Sequence, residues 1–403
     1  MKTDRKFQKD QYRKTTEGTV LSVNYDARGT KIVTDCTVFF PTGGGQSCDT
    51  GTLTGSDGSV YSVTDVFEDG EAIVHVTDAP EGAFSEGDPV TMTIDWAHRF
   101  DNMQRHCGEH ILSGAFHRLY GGENHGFHMG EDYITIDIAF PPGGHDKVTW
   151  AMAEAAEAEA NRVITEDLPV HVNYFSTREE AEQYPSRKPI AFAEDISIVT
   201  VGDPADPADC CPCCGTHPAT TGQIGLLKIY KIESNKGMSR IYFECGARAF
   251  RKYQEQFNVL YDISGRFSAG YDELLAKYEA QQAHTEALRA ELSSFRSKAL
   301  AAESAHIASS PDHVFYYDDF SVDDLFNLGK QLGPAITELI VLVHKPSNTA
   351  ILLSDGSDPA RRCGDLVKQN APGFGGKGGG KPSSARAFFP DRDSLEAFLK
   401  VIL

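Results

Sequence analysis

The chain reads Arg105-His106-Cys107-Gly108-Glu109-His110-Ile111-Leu112, a stretch with two histidines four residues apart. On an α-helix, positions i and i+4 share one face, with about 5–6 Å between their Cβ atoms. Two imidazoles held in this way can bind one metal ion, but two ligands do not complete a site. The other ligands must therefore come from elsewhere in the chain.

A second group of metal-binding side chains lies far downstream, in Cys210-Cys211-Pro212-Cys213-Cys214-Gly215-Thr216-His217. Cys213 and His217 offer a thiolate and an imidazole, both of which zinc accepts as ligands. Together with His106 and His110 they would give three histidines and one cysteine. Spacing alone does not choose among the four cysteines. An all-thiolate zinc knuckle within the cluster is the alternative.

The composition predicts several domains and reduced thiols. The 403 residues suit two or three domains, and 40% hydrophobic residues are enough for packed cores. Nine cysteines, four of them within five positions, favour free thiols over a disulfide framework. We find no signal-peptide pattern and no apolar run of membrane-spanning length. We therefore expect a cytoplasmic protein that does not bind a membrane.

Residues 1–95 have the pattern of a small β-barrel. Five short runs rich in β-branched residues are separated by turn signals such as Ser56-Asp57-Gly58. This region contains Pro41-Thr42-Gly43-Gly44-Gly45-Gln46. Its glycines would permit positive φ and a close approach of backbone N–H groups to a ligand. A β-bulge or flexible turn is the alternative interpretation.

Residues 96–262 are predicted to form an α+β domain that carries both metal-binding stretches. Within it, the pattern predicts a helix from Trp96 to Leu119 and a loop from Asp203 to Pro212. Residues 263–308 are predicted to be a helical linker, with a heptad seam from Tyr271 to Ala299. A dimeric coiled coil, a hairpin within the chain and a single linker helix all fit this seam.

Residues 309–403 alternate strand and helix, which predicts a C-terminal α/β domain. The segment Gly373 to Arg386 is the most basic and glycine-rich part of a chain whose net charge is −20. Glycine amides together with Lys377, Lys381 and Arg386 would suit a phosphate backbone. Because the whole chain is acidic, RNA binding would depend on such a local patch. A solvated loop is the alternative.

The first metal-binding stretch also fits the HxxEH pattern of zinc metalloproteases, with Glu109 as general base. That interpretation needs a carboxylate ligand further along the chain. It leaves Cys213, His217 and the triple glycine without a role. We keep it as the main alternative from the residues alone.

Three motifs in this order resemble those of the AlaX group of alanyl-tRNA editing proteins. Pro41–Gln46 resembles their GGGQ motif, and His106-x3-His110 resembles their first zinc motif. Cys213–His217, followed by Thr221-Gly222-Gln223-Ile224-Gly225, resembles the motif that they share with the editing domain of alanyl-tRNA synthetase. The C-terminal glycine-rich segment resembles the loop of the DHH-associated domain in that synthetase and in the long AlaX form. We find no resemblance to an aminoacylation domain.

The resemblance implies a multidomain α+β protein. Its parts would be an N-terminal β-barrel, an α+β zinc-containing editing core, a long helical linker and a C-terminal α/β DHH-associated domain. The implied reaction is hydrolysis of the ester joining a wrong amino acid to alanine tRNA, chiefly serine and secondly glycine. A zinc-containing tRNA-binding protein that has lost catalysis is the non-enzyme alternative.

The resemblance also implies which residues act. One zinc ion per chain would be held by His106, His110, Cys213 and His217. The implied catalytic residues are Thr42, which would contact the serine hydroxyl, and Gln46. With the substrate-binding Gly43, Gly44 and Gly45, Gln46 would hold the ester oxygen or the terminal ribose. The implied RNA contacts are Lys377, Lys381 and Arg386. Alanine tRNA is the expected partner, together with a second copy of the chain through the linker and the C-terminal domain.

Overall fold

The structure is a computed structural model that describes residues 1–190, 194–333 and 336–403. The chain divides into two compact units, Met1–Asp262 and Ile263–Leu403. Within the described ranges, none of the helices combines the length and apolar character needed to cross a membrane. The predicted division into four domains stays a prediction.

The predicted N-terminal β-barrel is confirmed. The helix and strands of this region are α1 (Lys6–Lys9), β1 (Asp4–Arg5), β2 (Thr15–Asp26), β3 (Gly29–Thr34), β4 (Cys36–Thr37), β5 (Gly51–Gly55), β6 (Val60–Asp69), β7 (Ala72–Thr77) and β8 (Pro89–Ile94). Six of them close in the order β2-β3-β7-β6-β5-β8, with every pair antiparallel. Alternate side chains such as Ile32, Leu53 and Met92 fill the interior, as the period of a strand requires.

The rest of the first unit mixes helices and sheets. Its elements are α2 (Trp96–Tyr120), β9 (Glu123–Met129), β10 (Ile134–Ala139), α3 (Trp150–Thr165), β11 (Val170–Thr177), α4 (Arg178–Ala181), β12 (Glu194–Val201), β13 (Asp209–Pro212), β14 (Leu227–Asn235), β15 (Met238–Cys245) and most of α5 (Gly246–Phe267). The last residues of α5, from Ile263, belong to the second unit. One antiparallel sheet has the order β14-β15-β10-β9, and another has the order β11-β12-β13. Ile111 and Phe116 of α2 share a core with Ile136 and Phe243 of the first sheet.

One element in this region differs from the prediction. The segment from Asp203 to Pro212, predicted as a loop, ends in strand β13, which pairs with β12. Three prolines and the cysteine cluster at its end were the reasons to expect a loop. Pro204 and Pro207 precede β13, and Pro212 ends an edge strand, where proline is tolerated. Since side chains alternate along a strand, Asp209 and Cys211 share one face and Cys210 lies on the other.

The second unit is a long helix followed by an α/β module. Its elements are α6 (Leu274–Ser309), β16 (Val314–Tyr317), α7 (Val322–Leu332), β17 (Ile340–His344), β18 (Thr349–Leu353), α8 (Cys363–Asn370), β19 (Lys377–Lys381), β20 (Ser384–Phe388) and α9 (Arg392–Ile402). The sheet has the order β16-β17-β18-β20-β19, and only the β16–β17 pair in it is parallel. Residues of α8 and α9 pack on one face of the sheet, and residues of α6 and α7 pack on the other.

The structure refines two predictions for this unit, one for the glycine-rich segment and one for the heptad seam. The centre of the glycine-rich segment, Lys377–Lys381, is edge strand β19 rather than a loop, because its backbone pairs with β20. All five residues of β19 are exposed. The heptad seam begins at Tyr271, whereas helix α6 begins at Leu274. Leu288, Leu292 and Phe295 of this seam are exposed in the single chain. Dimerisation through α6, and the DHH-associated identity of the module, stay predictions.

Candidate metal centre

Helix α2 presents His106 and His110 from its buried face. The Asp95 side chain caps the helix by accepting hydrogen bonds from the backbone N–H groups of Ala97 and His98. Gly121, with φ 66°, ends it in the left-handed conformation. The two imidazole rings lie 5.3 Å apart between centroids and are nearly parallel. The i, i+4 spacing therefore places both rings in one buried region.

The structure brings all four sequence-predicted ligands together. Ligand atoms of His106, His110, Cys213 and His217 lie within 4.8 Å of one another. The His217 ring centroid is 4.8 Å from that of His106 and 4.9 Å from that of His110. The Cys213 sulfur lies 3.2 Å from His106 Nε2. Cys214, by contrast, is exposed and lies outside this group.

The donor atoms of this cluster fit a metal ion. His110 Nε2 and both ring nitrogens of His217 are buried without a hydrogen-bond partner, and no other buried side-chain nitrogen or oxygen of the described residues is in that condition. Such an unpaired group costs about 1–3 kcal/mol. A metal ion would accept these lone pairs, and three nitrogens with one sulfur suit a tetrahedral site.

The surroundings also set the protonation of these side chains. Burial, reinforced by nearby His110, lowers the pKa of His106 well below its ordinary value. Burial, with His106 and His110, does the same to the pKa of His217. Both rings are therefore neutral, which is the form that binds a metal. Burial raises the pKa of the Cys213 thiol, so its thiolate needs a cation beside it, and coordination to a metal supplies one.

The triple glycine forms a tight turn beside the cluster. Gly43 and Gln46 exchange backbone hydrogen bonds of 3.1 and 3.0 Å. Between them, Gly44 and Gly45 have φ values of 58° and 83°, the two positive angles of a type I′ turn. A Cβ atom on Gly45 would lie 2.5 Å from the Phe127 ring, so the turn also needs glycine for space. The segment is therefore a turn rather than a β-bulge, and the turn explains the glycines at positions 44 and 45.

The turn places Gln46 between the barrel and the Cys213–His217 motif. Its Oε1 accepts a hydrogen bond from the Thr216 backbone N–H at 3.0 Å, and its Nε2 donates to the Thr216 hydroxyl at 2.9 Å. The same Oε1 lies 2.8 Å from His106 Nδ1. Because an amide oxygen only accepts, His106 carries its proton on Nδ1 and turns the Nε2 lone pair towards Cys213. Gln46 thus orients one of the clustered rings.

A carboxylate holds the second ring. Asp209 Oδ2 lies 2.8 Å from His110 Nδ1, and Arg187 Nε donates to Asp209 Oδ1 at 2.6 Å. Burial raises the pKa of Asp209, but Arg187 and His110 outweigh it and hold that pKa at about 2. Sequence patterns indicated neither Asp209 nor Arg187. The one available signal was the period of β13, which places Asp209 and Cys211 on the same face.

His110, Asp209 and Cys211 form a second group of possible metal ligands. Both carboxylate oxygens of Asp209 are already contacted by the Arg187 guanidinium, at 2.6 and 3.3 Å. A cation placed there would be repelled by that guanidinium. We therefore consider only the cluster with Cys213 as a candidate metal centre.

Thr42 lies at the start of the glycine turn and is exposed. Its backbone N–H donates to the Val66 carbonyl, and its hydroxyl accepts from the Cys48 N–H at 3.2 Å. These bonds attach Thr42 to the barrel. Its predicted contact with a substrate stays a prediction, as do those of the three glycines.

A buried ion pair fixes the loop that carries the turn. Arg99, two turns before His106 on α2, donates from Nε to both oxygens of Asp49 at 2.8 and 3.0 Å. Asp49 in turn exchanges hydrogen bonds with the backbone of Phe40, which closes the base of the loop. Arg99 and Asp49 are both fully buried. Helix α2 therefore carries the histidines and also anchors the turn.

Glu109 does not take the place that a metalloprotease base would need. Its Oε1 accepts hydrogen bonds from the Ser113 hydroxyl at 2.6 Å and from Asn124 Nδ2 at 2.8 Å. In the described part of the chain, the side chains grouped with both His106 and His110 include no carboxylate. The geometry thus gives the protease interpretation no third ligand.

The predicted RNA contacts lie in the second unit. Lys377 and Lys381 are exposed on β19, and Arg386 is exposed on β20. Arg386 pairs with Gly379, and Lys377 and Lys381 flank that glycine at alternate positions. The alternation of strand side chains therefore places all three cations on one face of the sheet.

Two family models match the first unit. The one described as threonyl and alanyl tRNA synthetase second additional domain matches residues 196–242, which include the Cys213–His217 motif and most of the β14–β15 hairpin. The one described as tRNA synthetases class II (A) matches residues 6–98, which include the barrel.

Relatives extend the similarity to the whole chain. The alanine–tRNA ligases of Pyrococcus abyssi and Methanoregula boonei are 29% and 31% identical over 98% and 92% of this chain, which spans only 43% and 40% of their length. The alanyl-tRNA editing protein AlaX-L of Pyrococcus horikoshii is 30% identical over 95% of this chain and 94% of its own length. Because that similarity runs nearly end to end in both proteins, the chain belongs to the AlaX family of alanyl-tRNA editing proteins.

Proposed function

We propose that this protein hydrolyses the ester joining a wrong amino acid, chiefly serine and secondly glycine, to alanine tRNA. The observation that carries the proposal is the buried cluster of His106, His110, Cys213 and His217, oriented by the glycine turn of the barrel. Family membership supports it, since the relatives are named as an editing protein and as ligases for the same tRNA.

The proposed cofactor is one zinc ion per chain at this cluster. A set of three imidazole nitrogens and one thiolate binds zinc in preference to harder cations such as Mg²⁺ and Ca²⁺. When bound, the ion would supply Lewis-acid chemistry and a positive charge for the ester or the amino group of the substrate. The chain's own residues would keep His106 and His217 neutral through burial, and Gln46 and Asp209 would turn the rings of His106 and His110 inwards.

Thr42 is proposed to recognise the serine side chain. Because its oxygen already accepts from the Cys48 N–H, its O–H hydrogen can be donated to a substrate hydroxyl. An alanyl ester would leave that donor without a partner, and a site built for a hydroxyl discriminates strongly in this way. Gly43, Gly44 and Gly45 are proposed to lie against the ester oxygen or the terminal ribose.

Gln46 is proposed to act by positioning His106. Its side chain is almost fully buried, and both ends of its amide are bonded within the protein. A metal-binding histidine normally has such a partner on its other ring nitrogen. The contact with the ester that the family resemblance implies would have to come from the backbone of the same turn.

The second unit is proposed to be a DHH-associated domain that binds the tRNA backbone. Lys377 and Arg386 line an open cleft of about 590 Å³, together with Gly378, Gly379 and Phe388. Exposed cations attract phosphates, and an exposed aromatic ring offers a surface for a base. A homodimer through α6 and this module completes the proposed partners.

Deacylation of alanine tRNA charged with serine, glycine or alanine tests the proposed function. We expect the zinc-loaded full chain to hydrolyse the seryl ester fastest and the alanyl ester slowest. A peptide-cleavage assay on the same preparation tests the protease alternative and is expected to show no product. Seryl-tRNA that decays no faster with the protein than in buffer would overturn the enzyme in favour of a silent tRNA-binding protein.

A further inference from the structure

His110 is held from outside the cluster by a chain of two buried charged residues. Asp209 lies on edge strand β13 and contacts His110 Nδ1 at 2.8 Å. The Arg187 backbone N–H donates to the Cys210 carbonyl at 2.7 Å, which anchors the arginine beside the same strand. The side chains of Arg187, Asp209 and His110 are only 6%, 1% and 2% exposed. Water therefore has little access to this chain.

The direction of these hydrogen bonds fixes the His110 tautomer. A carboxylate accepts and cannot donate, so the proton of the neutral ring must lie on Nδ1. The Nε2 lone pair then faces the cluster, where it has no hydrogen-bond partner in the described protein. A ring held in this way needs no rotation to bind a metal ion.

Asp209 would itself be a good metal ligand if its oxygens were free. The Arg187 guanidinium contacts Oδ1 at 2.6 Å and Oδ2 at 3.3 Å, and His110 contacts Oδ2. These contacts hold the carboxylate behind the imidazole. The arginine thereby keeps Asp209 in the supporting position.

We infer that Asp209 and Arg187 are positioning residues of the metal centre, which hold His110 in its metal-binding tautomer; this rests on the proposed zinc site. Their role differs from that of Gln46, which offers His106 a neutral amide. A carboxylate makes the ring that donates to it a stronger ligand. His110 is therefore the ligand whose support contributes most to zinc retention.

The zinc affinity of the purified full chain tests this role, measured by competition with a chromogenic chelator. Asp209→Asn keeps the size of the side chain and a hydrogen-bond acceptor but removes the charge. We expect its zinc affinity to fall about 10–100-fold. Because this change leaves Arg187 unpaired, the double variant Asp209→Asn/Arg187→Met removes both charges, and we expect it to lose a similar amount.

One further measurement and one control variant separate positioning from general structural support. In cobalt(II)-loaded protein, both variants are expected to shift the visible bands, which report the geometry of the ligands rather than overall stability. The matched control is Asp137→Asn, which breaks a carboxylate–arginine pair with Arg240 outside the metal cluster. That control is expected to keep the zinc affinity and cobalt spectrum of the unaltered protein.

The unaltered protein provides a test that does not depend on any variant. NMR of the ¹⁵N-histidine-labelled chain should show His110 with its proton on Nδ1, and a proton on Nε2 before metal is added would overturn the inference. Equal zinc affinity for Asp209→Asn and the unaltered protein would overturn it too. Failure of the unaltered protein to bind zinc would instead overturn the proposed metal site itself.

Discussion

At the scale of single residues, the candidate metal centre is distinguished by ring nitrogens that have no hydrogen-bond partner. The other buried side-chain nitrogen and oxygen atoms of the described residues each have a hydrogen-bond partner. His110 Nε2 and the two ring nitrogens of His217 have none. Natural proteins avoid such groups unless a ligand, ion or water satisfies them. The residues of the cluster are thus better explained by an ion than by packing.

Replacing His106 and His217 together by alanine should abolish zinc binding and deacylation of seryl-tRNA. The double variant loses two of the four proposed ligands, and the remaining pair cannot form a tetrahedral site. Metal content per chain and the deacylation rate are the measurements. His171→Ala, an exposed histidine on β11, is the control and should retain one zinc. Full activity in a metal-free double variant would contradict the site.

Thr42→Val should reduce kcat/KM for seryl-tRNA about tenfold, the value of one hydrogen bond. The variant keeps the shape of the side chain and loses the hydroxyl that is proposed to contact serine. Zinc content should not change, because Thr42 bonds to the barrel rather than to the cluster. Ser47→Ala removes an exposed hydroxyl nearby and is the control. An unchanged ratio of seryl to alanyl hydrolysis would show that Thr42 does not read the side chain.

At the scale of elements, helix α2 links the barrel to the metal centre through the Arg99–Asp49 pair. Its extent was predictable, because Asp95 caps its start and Gly121 ends it. Strand β13 was not predictable, since a short edge strand between prolines resembles a loop in sequence. The role of Asp209 was therefore missed, because its contact with His110 depends on the position of this strand.

Asp49→Asn should lower the free energy of unfolding by about 3–5 kcal/mol, because it leaves the buried Arg99 guanidinium without its counter-charge. Denaturant unfolding followed by tryptophan fluorescence measures the loss. Arg162→Met, which breaks a half-exposed ion pair with Glu159, is the control and should cost several-fold less. Equal losses in the two variants would mean that the buried pair has no special structural role.

The barrel should become less stable in acid because of His75. Burial, opposed only in part by the Ile32 carbonyl, lowers the pKa of His75 to about 4. Below the ordinary pKa of 6.5, His75 is protonated in the unfolded chain but stays neutral in the folded barrel. The free energy of unfolding is therefore fully retained above pH 6.5 and decreases as the pH falls towards 4. The accumulated loss is about 3 kcal/mol.

The variant His75→Gln should therefore lose less stability than the unaltered protein between pH 7 and pH 4.5. The difference is expected to be about 2–3 kcal/mol, measured by denaturant unfolding of metal-free protein. The exposed His171 provides the control variant His171→Gln, which should follow the unaltered protein. Parallel pH curves for His75→Gln and the unaltered protein would contradict the buried neutral imidazole.

At the scale of the whole molecule, an acidic chain is proposed to bind an acidic partner. The net charge is −20, so the exposed face with Lys377, Lys381 and Arg386 must act locally against the overall field. The order of the motifs and the α+β character were predictable from sequence, since local patterns specify them. The grouping of His106 and His110 with Cys213 and His217 was also predicted, from their ligand chemistry and the family resemblance. The hydrogen bonds of Gln46 with Thr216 were not, because 170 residues separate the two and no local period connects them.

Replacing Lys377, Lys381 and Arg386 together by alanine should weaken tRNA binding and reduce its salt dependence. Each lost phosphate contact lowers the slope of log K against log salt by about 0.7–0.9. Binding of alanine tRNA at several salt concentrations is the measurement, and zinc content should stay the same. The control replaces Lys330, Lys368 and Lys400, three other lysines of the same unit. If both triple variants bind equally, the face is not the RNA site.

The Gln46–Thr216 hydrogen bonds have a consequence for biosynthesis. They join a residue that is translated early to one that is translated 170 residues later. The proposed ligands Cys213 and His217 are likewise translated about a hundred residues after His106. A nascent chain that stalls before residue 217 therefore has no complete set of ligands. Retention of zinc at the proposed site would therefore require translation to continue past His217, so a shorter polypeptide could not yet carry out the proposed deacylation.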